Sequence, residues 1–367
     1  MVALVGAFLT SFSISFASIP SIIKVSQDKQ LYDFPEARKR HLAATPTLGG
    51  VALFAGFLVS FLFWVGPRPF PELRCILCGV IILFFVGIKD DILHTVAYKK
   101  LIAQIAAAVI VVYWGDVRLT SFYGLLGIYS ISIPVSYVVS LLGIVGITNA
   151  FNFIDGVDCL AGFMGVIASG FFGLWFFLHN FYSWSMLSFC LMGAVLGFLC
   201  YNRSPARIFM GDTGSLILGL VCSVMAIKFI EINQVHSFVE SSPVVAMGVL
   251  AVPLYDTLRV MLIRMSRGLS PLSADRNHLH HLLTDLGLSH MKTSLVLGAV
   301  NIGVLLFAYR FQRIGSSVGL GLWSSEILLG LVILFLVSFS FSLGRLRRFR
   351  MGKQRFPVMA APVSTAR

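Results

Sequence analysis

Between Thr148 and Gly162 the chain reads T-N-A-F-N-F-I-D-G-V-D-C-L-A-G, with Asn149, Asn152, Asp155 and Asp158 at a strict three-residue spacing. On a helix that spacing brings Asn149, Asn152 and Asp155 to one face, and Gly156 would loosen the backbone so that Asp158 turns in from a loop. Converging oxygen-rich side chains suit a hard cation such as Mg²⁺, or a sugar and its phosphates. An N-capping cluster for the next helix is the structural alternative. A second group is Lys89-Asp90-Asp91, followed by His94, Lys99 and Lys100. Two adjacent carboxylates repel each other unless a cation or a shared proton relieves them, and negative charge at a helix C-terminus opposes the helix dipole.

Three further stretches carry polar side chains of the same kind. In Y-N-R-S-P-A-R-I-F-M-G-D-T-G-S, Tyr201 to Ser215, Asp212 lies between Gly211 and Gly214 just ahead of an apolar run. An N-cap is one reading. The other is a helix start whose backbone N–H groups meet an anion, with Arg203 and Arg207 close by. Phe209 could stack on a base, although an aromatic at a membrane boundary is also a plain anchor. The stretch from Ser270 to Leu283 gathers His278, His280 and His281 beside Asp275 and Arg276. Such a cluster suggests zinc, but no Cys accompanies it, and three imidazoles beside an Arg can donate to a diphosphate. Phosphate binding is the preferred reading. The weakest signal is Ala37 to Gly50, where Lys39, Arg40 and His41 could meet phosphate and Gly49-Gly50 permit close packing.

The elements that must position these groups are membrane helices. Of 367 residues, 57% are hydrophobic and 12% charged, and the mean hydropathy is +0.88; a soluble chain carries about a quarter charged residues. Apolar runs predict an all-α polytopic membrane protein with about eleven spans, near 2–23, 48–66, 74–88, 98–114, 134–149, 160–178, 185–201, 214–230, 243–265, 293–310 and 319–344. No cation precedes the first run, and Lys24 follows it, which predicts a retained span with its N-terminus outside rather than a signal peptide. All but six of the 28 Lys and Arg residues (Arg68, Arg74, Arg118, Lys228, Arg310 and Arg313) then fall in 24–47, 89–100, 202–214 and 259–292, the loops after odd-numbered spans with their flanking helix ends, or in the C-terminal tail. That asymmetry places those loops and the tail in the cytoplasm. It also explains the net charge of +12 without nucleic acid. The tail from Arg345 suits anionic membrane lipids.

Every polar cluster described above falls on the cytoplasmic side, within one integral-membrane domain over 1–344 that a basic tail, 345–367, follows. The longest outer loop, about 115–133, alternates enough to predict a small periplasmic β-hairpin. Asp256 lies inside the ninth span with Arg259 at i+3, which predicts a helix-internal ion pair, and Lys228 and Glu231 predict a similar pair. The six cysteines fall mostly in apolar runs, as small hydrophobes.

The motifs K-D-D, N-x-x-N-x-x-D-G-x-D, F-M-G-D-T-G-S and D-R-x-H-x-H-H, in this order over about residues 30–310, resemble the polyprenyl-phosphate N-acetylhexosamine-1-phosphate transferases, glycosyltransferase family 4, which include MraY and WecA enzymes. The loop D-R-N-H-L-H-H-L-L is similar to the WecA branch. The resemblance implies transfer of a sugar-1-phosphate, most simply N-acetylglucosamine-1-phosphate, from a UDP-N-acetylhexosamine to undecaprenyl phosphate with release of UMP. It implies Mg²⁺, with Mn²⁺ able to substitute, an inner (plasma) membrane enzyme working at the cytoplasmic face, and a homodimer. By the same resemblance Asp212 is a metal ligand with Asn152 beside it, and Asp90 and Asp91 activate the lipid phosphate or help to hold the metal. Asp155 and Asp158 position nucleotide and sugar, with Asn149 and Lys100 as further substrate contacts. Phe209 stacks on uracil, and His278, His280, His281 and Arg276 grip the diphosphate. Two positions depart from the pattern: Cys159 stands where relatives usually have Gly, and His94 where many have a third acid. A secondary transporter, to which the intramembrane Asp256 would suit itself, and a lipid-phosphate phosphatase are the competing readings.

Overall fold

The computed structural model describes residues 1–33, 45–66, 70–93, 95–270, 276–312 and 324–354. Each of the eleven stretches expected to span is helical where described: α1 (Val2–Asp28), α2 (Gly49–Trp64), α3 (Leu73–Leu93), α4 (Ala97–Val109, continued by a π-helical turn Ile110–Trp114), α5 (Ile133–Ile154), α6 (Leu160–Leu178), α7 (Tyr182–Asn202), α8 (Gly211–His236), α9 (Ser242–Val249) with α10 (Ala251–Ser266), α12 (His290–Phe311) and α13 (Ser324–Gln354); a short α11 (Leu279–Asp285) precedes α12. Among the described residues eight helices are long and apolar enough to cross a membrane, and α9 with α10 make a ninth candidate, bent by 82°. Of the other two, α2 has 16 residues, and α3 has 21 but includes Arg74, Lys89, Asp90 and Asp91. The described sheet is a two-residue antiparallel ladder, Tyr32–Asp33 against Thr45–Pro46.

The bundle is built around α8, whose most apolar stretch is 89% buried, against 28% for α1 and α13. It packs on α2, α3, α5 and α6, while α1 lies against α7 and α2. Outward faces carry exposed Leu9, Phe85, Ile102, Leu142, Leu262 and Leu334, as a surface solvated by lipid tails requires. Two glycines bring α2 and α3 onto the first turn of α8. A Cβ at Gly50 would lie 2.2 Å from the Gly214 nitrogen, and one at Gly87 would lie 2.4 Å from Thr213 Cα.

The bend between α9 and α10 has a local cause and a remote repair. Pro253 has no N–H to give the Val249 carbonyl. The fully buried Asn301 of α12 supplies what is missing: its amide donates to the Val249 carbonyl at 2.8 Å and accepts from the Val252 N–H at 2.9 Å. In hydrocarbon each of these groups left bare would cost several kcal/mol.

Two expectations are corrected. Residues 115–132 form no hairpin: Tyr123, Gly124, Leu126 and Gly127 all take positive φ, which no strand allows, and Leu125–Gly127 is a short 3₁₀ turn. The loop is tied to α8 instead, through Glu231, which accepts from the Thr120 N–H at 2.9 Å and the Tyr123 hydroxyl at 2.6 Å. Glu231 therefore does not pair with Lys228, whose ammonium meets Glu72 of the α2–α3 connection at 2.5 Å.

Candidate active site

The polar ends of α3, α4, α5 and α8 meet at one point. Lys100, one turn into α4, lies between two carboxylates, in contact with Asp212 Oδ2 and 3.0 Å from Asp90 Oδ2. The other Asp90 oxygen accepts from the Thr95 N–H at 2.7 Å and from its hydroxyl at 2.5 Å. Asn152 on α5 donates to Asp212 Oδ1 and meets the Ser215 hydroxyl, both at 3.0 Å. The register of α4 against α5 is set one turn deeper, where Gln104 and Asn149 exchange amide bonds of 2.5 and 3.3 Å. Asn149 thus faces Gln104 and not Asp212; it places Lys100 and Asn152 rather than joining them.

Asp91 is spent differently. Its Oδ1 accepts from the Asp212 N–H at 2.7 Å, and its Oδ2 accepts from the Thr213 N–H at 3.1 Å and the Thr213 hydroxyl at 2.5 Å. A carboxylate borrowed from α3 therefore caps α8, satisfying orphan N–H groups of its first turn. Asp155, just past the end of α5, lies near the Gly211 N–H. The expectation that this helix start offers free N–H groups to an anion is thereby corrected, because Asp91 of α3 already holds those of Asp212 and Thr213. Asp212 is not an N-cap either: Met210 holds that place and Asp212 stands in the first turn, its carboxylate turned to Lys100. Gly211 permits the arrangement at φ +69°, since a Cβ there would lie 2.3 Å from the Thr47 carbonyl and 2.6 Å from Asp91.

Burial holds the Asp155 carboxyl well above the usual carboxylate range, and the Asp212 and Asp91 charges push the same way. Asp158 is buried and turned to α12, with one oxygen 3.3 Å from His290 Nδ1 and its carbonyl accepting from Ser294. Cys159 adopts φ +67°. Burial, followed by the Asp158 charge, drives its thiol up to about 12, so it stays protonated.

The His loop folds onto the same region as α11. The His278 and His280 rings stack with centroids 5.5 Å apart, and His281 lies 4.3 Å from His280. His280 sits against Gly156, where a Cβ would come within 2.9 Å of its Nε2. Burial, then the neighbouring His281, pushes His280 down to about 3, and His281 is lowered by burial and by His278. Arg276 is exposed at the loop's edge, and Phe209 is half-buried, its N–H donating to the Pro46 carbonyl at 2.8 Å and its carbonyl accepting from the Gly49 N–H at 3.0 Å. The Asp256–Arg259 pair forms at 3.0 Å. Lys39, Arg40, His41, His94 and Asp275 lie outside the described residues.

Several members of this network went unread in the sequence: Gln104, Thr95, Arg264 and His290. Gln104 and Arg264 are polar residues inside apolar helices, which is the one signal that could have marked them.

Among the described residues no three His, Cys, Asp or Glu side chains form a closed metal cage. Yet Asp90 and Asp212 converge on a single cation, the Lys100 ammonium, with an amide and a hydroxyl at hand. That all-oxygen set fits a hard divalent ion that keeps water ligands.

A family model described as Glycosyl transferase family 4 matches residues 73–230. A probable undecaprenyl-phosphate N-acetylglucosaminyl 1-phosphate transferase of Bacillus subtilis (strain 168) is 31% identical over 348 residues, covering 92% of this chain and 90% of the relative. The undecaprenyl-phosphate alpha-N-acetylglucosaminyl 1-phosphate transferase of Salmonella typhi is 29% identical over 289 residues, 77% of this chain and 76% of the relative. The enzyme of that name from Escherichia coli (strain K12) is 28% identical over 269 residues, 72% of each.

Proposed function

Because the chain belongs to glycosyl transferase family 4, we propose that it transfers N-acetylglucosamine-1-phosphate from a UDP-sugar to undecaprenyl phosphate and releases UMP. The observation that carries this reading is the pair of carboxylates, Asp90 and Asp212, sharing one ammonium where four membrane helices end. Nucleophile and electrophile are both phosphates, so the reaction needs positive charge at a point that a membrane-embedded tail can reach. An oxygen of the lipid phosphate attacks the β-phosphorus in line, and the bond from that phosphorus to the bridging oxygen breaks, leaving UMP.

Asp90 and Asp212, with Asn152, would hold the Mg²⁺ ion, for which Mn²⁺ can substitute. When bound, it supplies charge neutralisation to the diphosphate. Lys100 adds a fixed cation at the same point. Asp91 acts by position, since its oxygens hold the first turn of α8 and so aim Asp212. Asp155, whose carboxyl burial pushes up, would contact donor sugar or nucleotide, and Asp158 would shape the loop beside it. Arg276, His280 and His281 would serve the diphosphate, with His278 beside them, and Phe209 would offer its ring to uracil. The Lys and Arg distribution supports a multi-pass protein of the inner (plasma) membrane with this site at the cytoplasmic face.

The test is UMP release by purified protein given undecaprenyl phosphate and a panel of UDP-sugars, with Mg²⁺ or with EDTA. Release with UDP-N-acetylglucosamine that EDTA abolishes and Mg²⁺ or Mn²⁺ restores is the expected result. A transporter would release no UMP, and a lipid-phosphate phosphatase would need no nucleotide. A phosphorylated Asp90 or Asp91 trapped with UDP-sugar alone would replace direct attack by a two-step route.

A further inference from the structure

Asp256 does more than pair with Arg259. It is 1% exposed, and its two oxygens divide the His loop between them. Oδ1 accepts from Arg259 at 3.0 Å and from the Leu279 N–H, the first of α11, at 2.9 Å, while Arg259 also donates to the Asn277 carbonyl. Oδ2 lies 3.0 Å from His278 Nδ1. On the far side of that ring, His278 Nε2 lies 3.4 Å from a guanidinium nitrogen of Arg264, which is 2% exposed and spread over Phe153 at 5.8 Å. A carboxylate flanked by donors only accepts, and a guanidinium only donates. Between them the imidazole has one consistent arrangement, with the proton on Nδ1 and the lone pair on Nε2.

We propose that Asp256 is the positioning residue of the His loop: from within the bent helix pair it anchors the start of α11 and fixes His278 as the Nδ1–H tautomer. Arg264 then takes the Nε2 lone pair, so His278 has no N–H to give the diphosphate; that part is left to Arg276, His280 and His281. The inference rests on the transferase reading for the diphosphate, but the tautomer itself does not depend on it.

The substitution Asp256→Asn separates anchoring from tautomer. Two donors converge on Oδ1, so the carboxamide oxygen stays there and its NH₂ turns to His278 Nδ1. The proton must then move to Nε2, where it faces the Arg264 donor. The expected result is a fall in kcat for UMP release of about a hundredfold or more, in line with reversing a His tautomer in other enzymes, with KM for the UDP-sugar little changed. Solid-state NMR of ¹⁵N-histidine protein, with the His278 signals assigned by their loss in His278→Gln, should show the Nδ1–H pattern in the native protein and the Nε2–H pattern in Asp256→Asn. A native Nε2–H pattern, or an Asp256→Asn protein that keeps native kcat, overturns the proposal. So does a variant whose only change is a raised KM and a lower unfolding temperature, the mark of a purely structural anchor. If the native protein releases no UMP with any sugar, the transferase reading falls, and the tautomer comparison still decides this one.

Discussion

Cys159 holds a left-handed backbone at φ +67°, a conformation glycine adopts freely and other residues at a cost of about 1–3 kcal/mol. A glycine at this position would take that conformation without strain. Its N–H is anchored by Asn202 at 2.7 Å. Cys159→Gly should therefore fold with a stability within about 1 kcal/mol of native, whereas Cys159→Val, β-branched at positive φ, should lose about 1–3 kcal/mol; thermal unfolding in detergent distinguishes them. His280 sets a second residue-scale expectation. Buried neutral with its pKa near 3, it takes up no proton where the unfolded chain, near 6.5, already has one. Between those limits the unfolded state binds more protons, so stability falls as pH falls, by about 2 kcal/mol at pH 5. His280→Gln should flatten the decline in unfolding temperature between pH 7 and 5, and a variant with the native slope would contradict it. Asp212→Ala should fold and insert but lose UMP release by more than about a hundredfold, because its carboxylate serves the reacting charges.

At the scale of the element, the first turn of α8 is where sequence and structure part company. Asp90, Asp91, Asn152, Asp155 and Asp212 were legible as a set because carboxylates and amides stand out at the ends of apolar runs. Their division of labour was not. Nothing in K-D-D says that one Asp meets Lys100 while its neighbour caps a helix more than a hundred residues on; that depends on α3 docking at Gly87, a tertiary fact. The consequence is measurable: Asp91→Ala orphans two buried N–H groups and should cost about 1–3 kcal/mol in stability as well as activity, where Asp212→Ala costs mainly activity. The bent pair teaches the same lesson. The ninth span was read as one continuous helix, its break at Pro253 unremarked, and the partner that completes the bend, Asn301, looks in sequence like a stray amide. Asn301→Leu keeps the branched outline of the side chain and strips both bonds, so it should destabilise the protein by several kcal/mol. Unfolding as stable as native would show that the bend is satisfied some other way.

Across the whole molecule, the eleven helical stretches were read from hydropathy because each apolar run must satisfy its own backbone in lipid. The 115–132 loop was misread because alternation alone does not reveal residues that α8 will hold at positive φ. The end of the bundle away from the candidate site is closed by that loop, by Glu231 and by the Lys228–Glu72 pair. At the opposite end the last helix reaches back to the His loop, where Arg347 meets Asp285 at 2.8 Å and Arg350 donates to the Leu286 carbonyl. The basic stretch that suits anionic lipid is thus also a strut for α11. Asp285→Asn should loosen it, seen as faster hydrogen exchange of the α11 amides with the transmembrane helices unchanged.

The Asn301 bridge also bears on time. A ribosome makes Val249 and Val252 about fifty residues before it makes the side chain that satisfies them. During that interval the newborn bend has two bare backbone groups, and they must stay in contact with water or the insertion machinery instead of lipid. The ninth span cannot settle into the bilayer by itself; it has to wait for the tenth. A nascent chain halted before residue 301 should leave α9–α10 open to protease or to water-soluble thiol reagents at introduced cysteines, and one halted after α12 has emerged should not.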